Sequence, residues 1–364
     1  MRPSWVEVDL AAIGHNVTEL ARVSTPAEIC AVVKADGYGH GDVPVAEAAL
    51  AAGADRLAVA LLGEGIRLRE AGVEAPILVL SEPQLADAGE LVRWGLTPTV
   101  YRMNFLDAIA QDAPPGLEVH VKVDTGMHRV GADAVAAADL CRAVAGGPLA
   151  LGGLWTHFPV SEEDTSFTLS QVEELLALRD LLAAEGITPR LVHAANTAAA
   201  MAIPAARLDM VRPGIGIYGL RPAPGFGPEV DLRPAMRVVS RVAYLRRHPA
   251  GARPSYGRRR PLPRDAAIAT VPIGYADGVP RRLAETGGEV LIRGRRHPFA
   301  GNVTMDQVVI DVGDAAVEVG DEVVLMGAQG DAEVSADEWA ERTGTINWEI
   351  VCGFGPRLPR RYAR

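Results

Sequence analysis

The sequence predicts an α/β chain in two domains: a (β/α)8, TIM-like barrel over residues 1–228 and a mostly antiparallel β domain over 229–364. Three observations carry this. Between residue 28 and about residue 220, short apolar runs alternate eight times with Ala/Leu-rich helical stretches, the pattern of parallel strands joined by crossover helices. No GxGxxG opens the first unit, which disfavours an open dinucleotide-binding sheet. After RPAPGFGP (221–228) the chain changes to period-2 strands separated by turn residues, as an antiparallel domain requires.

The barrel strands are EICAVVK (28–34), RLAVALL (56–62), APILVL (75–80), TPTVY (97–101), EVHVKVD (118–124), LALGGLWTHF (149–158), RLVHAAN (190–196) and LDMVRPGIGIY (208–218). Helices fall between them, for example over DVPVAEAALAAGA (42–54) and SQVEELLALRDLLAAEG (170–186). In the second, Val172, Leu175, Leu176, Arg179 and Leu182 follow i, i+3, i+4 spacing, and Gly186 suits the position just past the end. The β domain offers MRVVSRVAYL (236–245), AAIATVPI (266–273), EVLIRG (289–294), QVVIDV (307–312) and DEVVLM (321–326). One short helix fits SADEWAER (335–342), with Ser335 and Glu338 at capping-box spacing and Gly344 beyond its end. A polar, arginine-rich loop spans 246–265.

Composition narrows the function. A chain of 364 residues suits two domains, and 48% apolar with 23% charged residues excludes disordered, collagen-like and coiled-coil classes. A net charge of −10 argues against nucleic acid or an anionic membrane as partner. No uncharged apolar run reaches membrane-spanning length and MRPSWVEVDL lacks a signal-peptide core, so a soluble cytoplasmic chain is expected. Cys30, Cys141 and Cys352 share no CxxC spacing, which fits a reducing compartment. Among 36 Lys and Arg residues only Lys34 and Lys122 are lysine. A chain that favours arginine keeps lysine best where a primary amine must lose its proton and attack a carbonyl, which guanidinium cannot do.

Chemistry in such a barrel sits at the C-terminal strand ends, often with a phosphate site after strands seven and eight. Lys34 and Tyr38 follow the first strand in AVVKADGYGHG. Lys122, Asp124 and Arg129 lie in KVDTGMHRVG, His157 in THFP, and His193, Asn196 and Thr197 in HAANT. Arg212, Gly214, Ile215, Gly216 and Tyr218 lie in VRPGIGIYGL. Thr197 and the N–H groups of Gly214 to Gly216 suit an anion nest. A lysine opposite such a nest, with arginine and histidine nearby, suits pyridoxal 5′-phosphate (PLP). His193 reads as structural; His40, His120 and His128 share no ligand spacing, so no metal is expected.

AVVKADGYGHG resembles the PLP-lysine motif of the alanine racemases, the fold-type III PLP enzymes. VEVDLAAIGHNV, KVDTGMHRVG, THFP, HAANT, VRPGIGIYGL, SYG, IGYADG and GNVTMDQ resemble that family's other motifs, in order along almost the whole chain. The resemblance implies a barrel plus a β domain, a head-to-tail homodimer with shared active sites, and interconversion of L- and D-alanine for cell-wall synthesis. It implies that Lys34 is the Schiff-base lysine and one catalytic base, and that Tyr256, in SYG, is the opposing base from the partner subunit. It gives the phosphate to Tyr38, Thr197, Gly214 and Ile215, the pyridine nitrogen to Arg212, and the phenolic oxygen and substrate to Arg129, with Asn196 among the cofactor-binding residues. His157 would bridge Tyr256 of the partner to Arg212, and Tyr275 and Met305 would line the substrate pocket from the partner subunit. Lys122 matches a position that carries a carbamate in some members; the alternative is an ammonium paired with Asp124.

This chain departs from the family at Thr197, where serine is common, and at Thr304 before Met305, where cysteine is frequent. Pro356 stands where some members put a tyrosine on the phosphate. Physics supports the two-base scheme, since racemisation removes a proton from one face of Cα and returns one to the other. Tyrosine's pKa near 10 needs nearby positive charge for work at neutrality. Arginine, donor-only, would leave the pyridine nitrogen unprotonated and suppress transamination. The alternatives are serine or broader specificity, a same-fold PLP decarboxylase, which would need a carboxylate in place of Arg212, and a single-barrel PLP carrier, which would need neither Tyr256 nor residues 229–364.

Overall fold

The short strand β1 (Trp5–Asp9) opens the computed structural model, which describes residues 2–363. Eight parallel strands then close into a barrel: β2 (Glu28–Val32), β3 (Arg56–Val59), β4 (Ile77–Val79), β5 (Thr97–Val100), β6 (Glu118–Lys122), β7 (Ala150–Trp155), β8 (Leu191–His193) and β9 (Met210–Val211). Each pairs with the next, and β9 returns to β2 through Glu28↔Met210 and Ile29↔Val211. All eight predicted runs are present, each trimmed at its C-terminal end, where the chain leaves the ladder for the barrel mouth. Runs such as ICAV, ILV and LAV read as continuously apolar because parallel strands are covered on both faces.

Helices follow the strands. Asp133 and Asp164 cap Ala134–Ala145 and Thr165–Ala184 by accepting the N–H groups of Ala136 and Phe167. Gly186 takes φ +79° just past the second helix, the left-handed conformation that stops it. At the N-terminal strand ends Arg56 pairs with Glu28 at 2.9 Å, and Arg190 pairs with Glu118 at 2.9 Å. That face of a barrel serves stability, which leaves the opposite mouth for chemistry.

The second unit comprises residues 1–10, 38–41 and 234–364; the barrel unit is 11–37 and 42–233. The separation thus falls a few residues after the RPAPGFGP signal, and two N-terminal pieces join the C-terminal unit. The strands there are β10 (Met236–Arg241), β11 (Tyr244–His248), β12 (Ala266–Val271), β13 (Glu289–Ile292), β14 (Arg295–Pro298), β15 (Val308–Gly313), β16 (Glu322–Gln329), β17 (Ala332–Val334) and β18 (Arg360–Ala363). One sheet runs β14-β13-β16-β10-β1-β18, with β17 added to β16; the other runs β11-β12-β15. β1 is antiparallel to β10 and parallel to β18.

The run predicted as one strand over 236–245 is two. The Val242 N–H bonds to the Asp321 carbonyl while the Ala243 N–H bonds to that of Thr270, so the chain changes sheets between them. No glycine or proline marks the switch. The predicted helix forms as Ala336–Thr343, with Ser335 Oγ accepting the Glu338 N–H and Gly344 at φ +72°. Only half of the capping box is made, because the Glu338 carboxylate is held by Arg296 and Arg342. No helix among the described residues is long and apolar enough to cross a membrane.

Candidate active site

Lys34 follows β2 and begins a left-handed turn. Ala35, Asp36, Gly37 and Tyr38 have φ of 53°, 53°, 58° and 51°, a conformation costly for residues with a Cβ. Tyr38 is buried, and burial holds its phenol neutral by pushing its pKa up. It belongs with the second unit, where Gly39 lies so close to the Val351 carbonyl that a Cβ would stand 2.4 Å from it.

At the barrel mouth the strand ends bring the predicted residues together. Arg212, 3% exposed, donates through Nη2 to the Thr156 and Ala194 carbonyls at 2.8 and 2.9 Å and lies 3.3 Å from His157 Nδ1. Its Nη1 donates to His193 Nδ1 at 2.7 Å. Among the described residues no carboxylate contacts it. Arginine can only donate, so His193 must carry its proton on Nε2, which then donates to His120 Nδ1 at 2.8 Å. Burial lowers the His120 pKa to about 3 and that of His193 well below 6.5, so both rings stay neutral. Trp155 stacks on His193 with ring centres 5.5 Å apart. His193, read as structural, and His120 thus form a buried chain behind Arg212. Nothing in their sequence spacing links them.

Burial also holds the His157 pKa well below its usual value, reinforced by the charges of Arg212, Lys122, Arg129 and Lys34. An Nδ1 facing a guanidinium acts as acceptor, so the proton of neutral His157 resides on Nε2. Lys122 is 3% exposed, with Nζ 4.4 Å from the Trp155 ring centre. Burial, then Arg212 and Arg129, lowers its pKa to about 7. Asp124 does not pair with it. That carboxylate accepts the Gly126 and His128 N–H groups at 3.1 and 3.0 Å within its own turn. Arg129 is exposed, with no hydrogen bond or ion pair to the described residues.

Asn196 caps the helix Thr197–Ala202 by accepting the Ala199 N–H at 3.1 Å. Thr197 Oγ1 accepts the N–H groups of Gly214 and Gly216 at 3.0 and 3.2 Å. Two donors of the expected nest are therefore spent within the protein. The Thr197 O–H and the Ile215 N–H, first in the turn Ile215–Tyr218, are not spent in these bonds. A Cβ on Gly216 would stand 2.7 Å from Thr197 Cγ2, so a larger residue here would have to displace Thr197. The buried Tyr218 donates to the Val32 carbonyl at 3.0 Å, tying the turn to the strand that ends before Lys34.

The second unit carries Tyr256, Tyr275 and Met305, which are 77%, 43% and 52% exposed. Asn302 of GNVTMDQ donates to the Tyr256 carbonyl at 2.9 Å, and Ser255 Oγ donates to that of Asn302 at 2.7 Å, joining two motifs far apart in sequence. Tyr275 and Ala276 donate backbone N–H groups to Thr304 and Met305 at 2.9 and 3.1 Å. Tyr256 and Thr304, with Ser255, Gln307 and Val309, line a cleft of about 360 Å³. Thr304 spends its hydroxyl on the Gln307 carbonyl at 2.7 Å. Pro356 is exposed.

Residues 8–222 match the family described as alanine racemase, N-terminal domain, and residues 235–362 match alanine racemase, C-terminal domain. The chain is 45% identical to the alanine racemase of Symbiobacterium thermophilum, over 100% of this chain and 97% of that one. It is 43% identical to that of Desulforamulus reducens, over 99% of both. The crystal structure of alanine racemase from E. faecalis superposes with a TM-score of 0.93 at 39% identity, covering 100% of this chain and 98% of that one.

Proposed function

The chain belongs to the alanine racemase family, and on that premise we propose that it interconverts L- and D-alanine with PLP held on Lys34, as a cytoplasmic homodimer in which Tyr256 comes from the partner subunit. The carrying observation is the buried Arg212 at the barrel mouth, held by the Thr156 and Ala194 carbonyls and facing His157 Nδ1 at 3.3 Å.

The residues fit the cofactor. Lys34 supplies a primary amine, and the Thr197 O–H and Ile215 N–H are donors suited to an anion. Arg212 leaves its Nε–H without a partner among the described residues, a donor matched to an unprotonated pyridine nitrogen. When bound, PLP draws electron density from the substrate Cα and acidifies its proton.

The protein then has to move that proton across the Cα plane. Lys34 takes or returns it on one face and Tyr256 of the partner subunit on the other. His157, neutral and protonated on Nε2, is suited to donate to the tyrosine oxygen and stabilise it as a base, with Arg212 polarising the imidazole from behind. Arg129 holds the substrate carboxylate and the cofactor oxygen. Lys122, carrying a carbamate, accepts from Arg129 and keeps it aimed; the lowered pKa supports this, because only the neutral amine adds CO2. Tyr275 and Met305 restrict the pocket to small side chains. The exposure of these two residues and Tyr256 suits a face completed by a second copy, and the free thiols of Cys30 and Cys141 suit a reducing cytoplasm. PLP-loaded protein incubated with L-alanine should lose optical rotation to a racemic endpoint, much faster than with L-serine or L-lysine. Retained rotation with alanine refutes the assignment.

A further inference from the structure

The helix Leu62–Glu70 grips the turn after Lys34 at both ends. Glu64 Oε1 accepts the Ala35 N–H at 2.7 Å, while Oε2 accepts those of Ala60 and Leu61 at 2.8 and 3.0 Å. Three positions on, Arg67 donates from Nε to Asp42 Oδ2 at 2.7 Å and from Nη2 to the same oxygen. Asp42 is buried, and its N–H faces Asp36 Oδ1 at 3.3 Å. A Cβ on Gly37 would stand 3.2 Å from the Asp42 backbone. The chain leaving Lys34 therefore doubles back, with its first N–H and its returning carboxylate both tied to one helix.

A left-handed turn through Ala35 and Asp36 is intrinsically unfavourable, since both carry a Cβ. Something outside the turn must hold it, and a charged acceptor on the peptide N–H directly after Lys34 is placed to do so. We propose that Glu64 is a positioning residue: its carboxylate pins the Lys34–Ala35 peptide in the left-handed form and so fixes the direction from which Lys34 presents its amine to PLP. The inference rests on Lys34 as the cofactor lysine. Arg67 seconds it by fixing Asp42.

The test uses PLP-loaded wild type, Glu64→Ala, Glu64→Gln and the double variant Ala35→Gly/Glu64→Ala, with exposed Glu70→Ala as control. PLP affinity is read from visible absorbance on dilution, lysine attachment from the mass fixed by borohydride, and folding from Tm. Glu64→Ala should weaken PLP retention about tenfold or more, the loss of a hydrogen bond to a charged group. Glu64→Gln should fall between, because its amide nitrogen cannot accept from Ala60 or Leu61. Ala35→Gly should recover several-fold of the loss, since glycine takes positive φ freely. A Glu64 that only stabilises the fold would lower Tm, leave PLP affinity unchanged and gain nothing from Ala35→Gly; that result overturns the inference. If Glu64→Ala does not fold, Glu64→Gln with and without Ala35→Gly decides in the same way. Wild type that borohydride does not fix to PLP overturns the reading of Lys34 and this inference with it. Equal fixation and affinity in wild type and Glu64→Ala overturns this inference alone.

Discussion

Lys122→Met should stabilise the folded chain in CO2-free buffer at pH about 6. Burial and the neighbouring arginines lower the Lys122 pKa from 10.5 to about 7, a gap that corresponds to roughly 5 kcal/mol of penalty on the buried ammonium. The Trp155 face, 4.4 Å away, favours the cation and offsets up to about 2 kcal/mol. About 3 kcal/mol remains. The folded pKa lies below the unfolded one, so the unfolded chain binds the extra proton between them and stability rises with pH across that window. The penalty is complete below pH about 7 and gone by about 10.5. Urea midpoints of both proteins at pH about 6 and about 10 should show the variant ahead by about 3 kcal/mol at the lower pH and near parity at the higher. With about 3 kcal/mol remaining, the free amine of Lys122 near neutrality is on the order of 10² times more abundant than that of an ordinary lysine. Bicarbonate should therefore narrow the gap by converting wild type to the carbamate. Parity at pH about 6, or a gap that widens with pH, refutes the buried-ammonium argument.

Three further outcomes test the site. Lys34→Arg should lose both borohydride-fixable PLP and racemase activity, because guanidinium cannot form the imine; full activity would end the cofactor assignment. Lys34→Ala and Tyr256→Phe should each be nearly inactive alone. Mixed under verified subunit exchange they should recover about a quarter of wild-type activity, since about half the dimers are mixed and each holds one intact site. No recovery would place both residues in one chain's site. Gly216→Ala puts a Cβ 2.7 Å from Thr197 Cγ2, overpacking worth about 1–3 kcal/mol; Tm and PLP affinity should fall together, and an unchanged affinity would remove Thr197 from the phosphate.

By itself the sequence determined the barrel and the strand-end motifs that carry the resemblance to the family. Parallel strands buried on both faces leave uninterrupted apolar runs, and caps such as Asp164 and Ser335 act on amides a few residues away, so these signals are local and legible. The motif residues at the strand ends could be named for the same reason. Only the tertiary structure assigned β1 to a sheet with β10 and β18 and moved the chain between sheets at Val242–Ala243, because strand period does not specify a partner. It also decided the protonation of the site. Arg212, His193 and His120 lie far apart in sequence, and their order of donation follows from contacts made only when β6, β8 and β9 meet inside the barrel. The sequence singles out Lys122 only by the scarcity of lysine; burial beside Trp155, Arg212 and Arg129 is what lowers its pKa toward neutrality, and burial depends on the whole barrel closing.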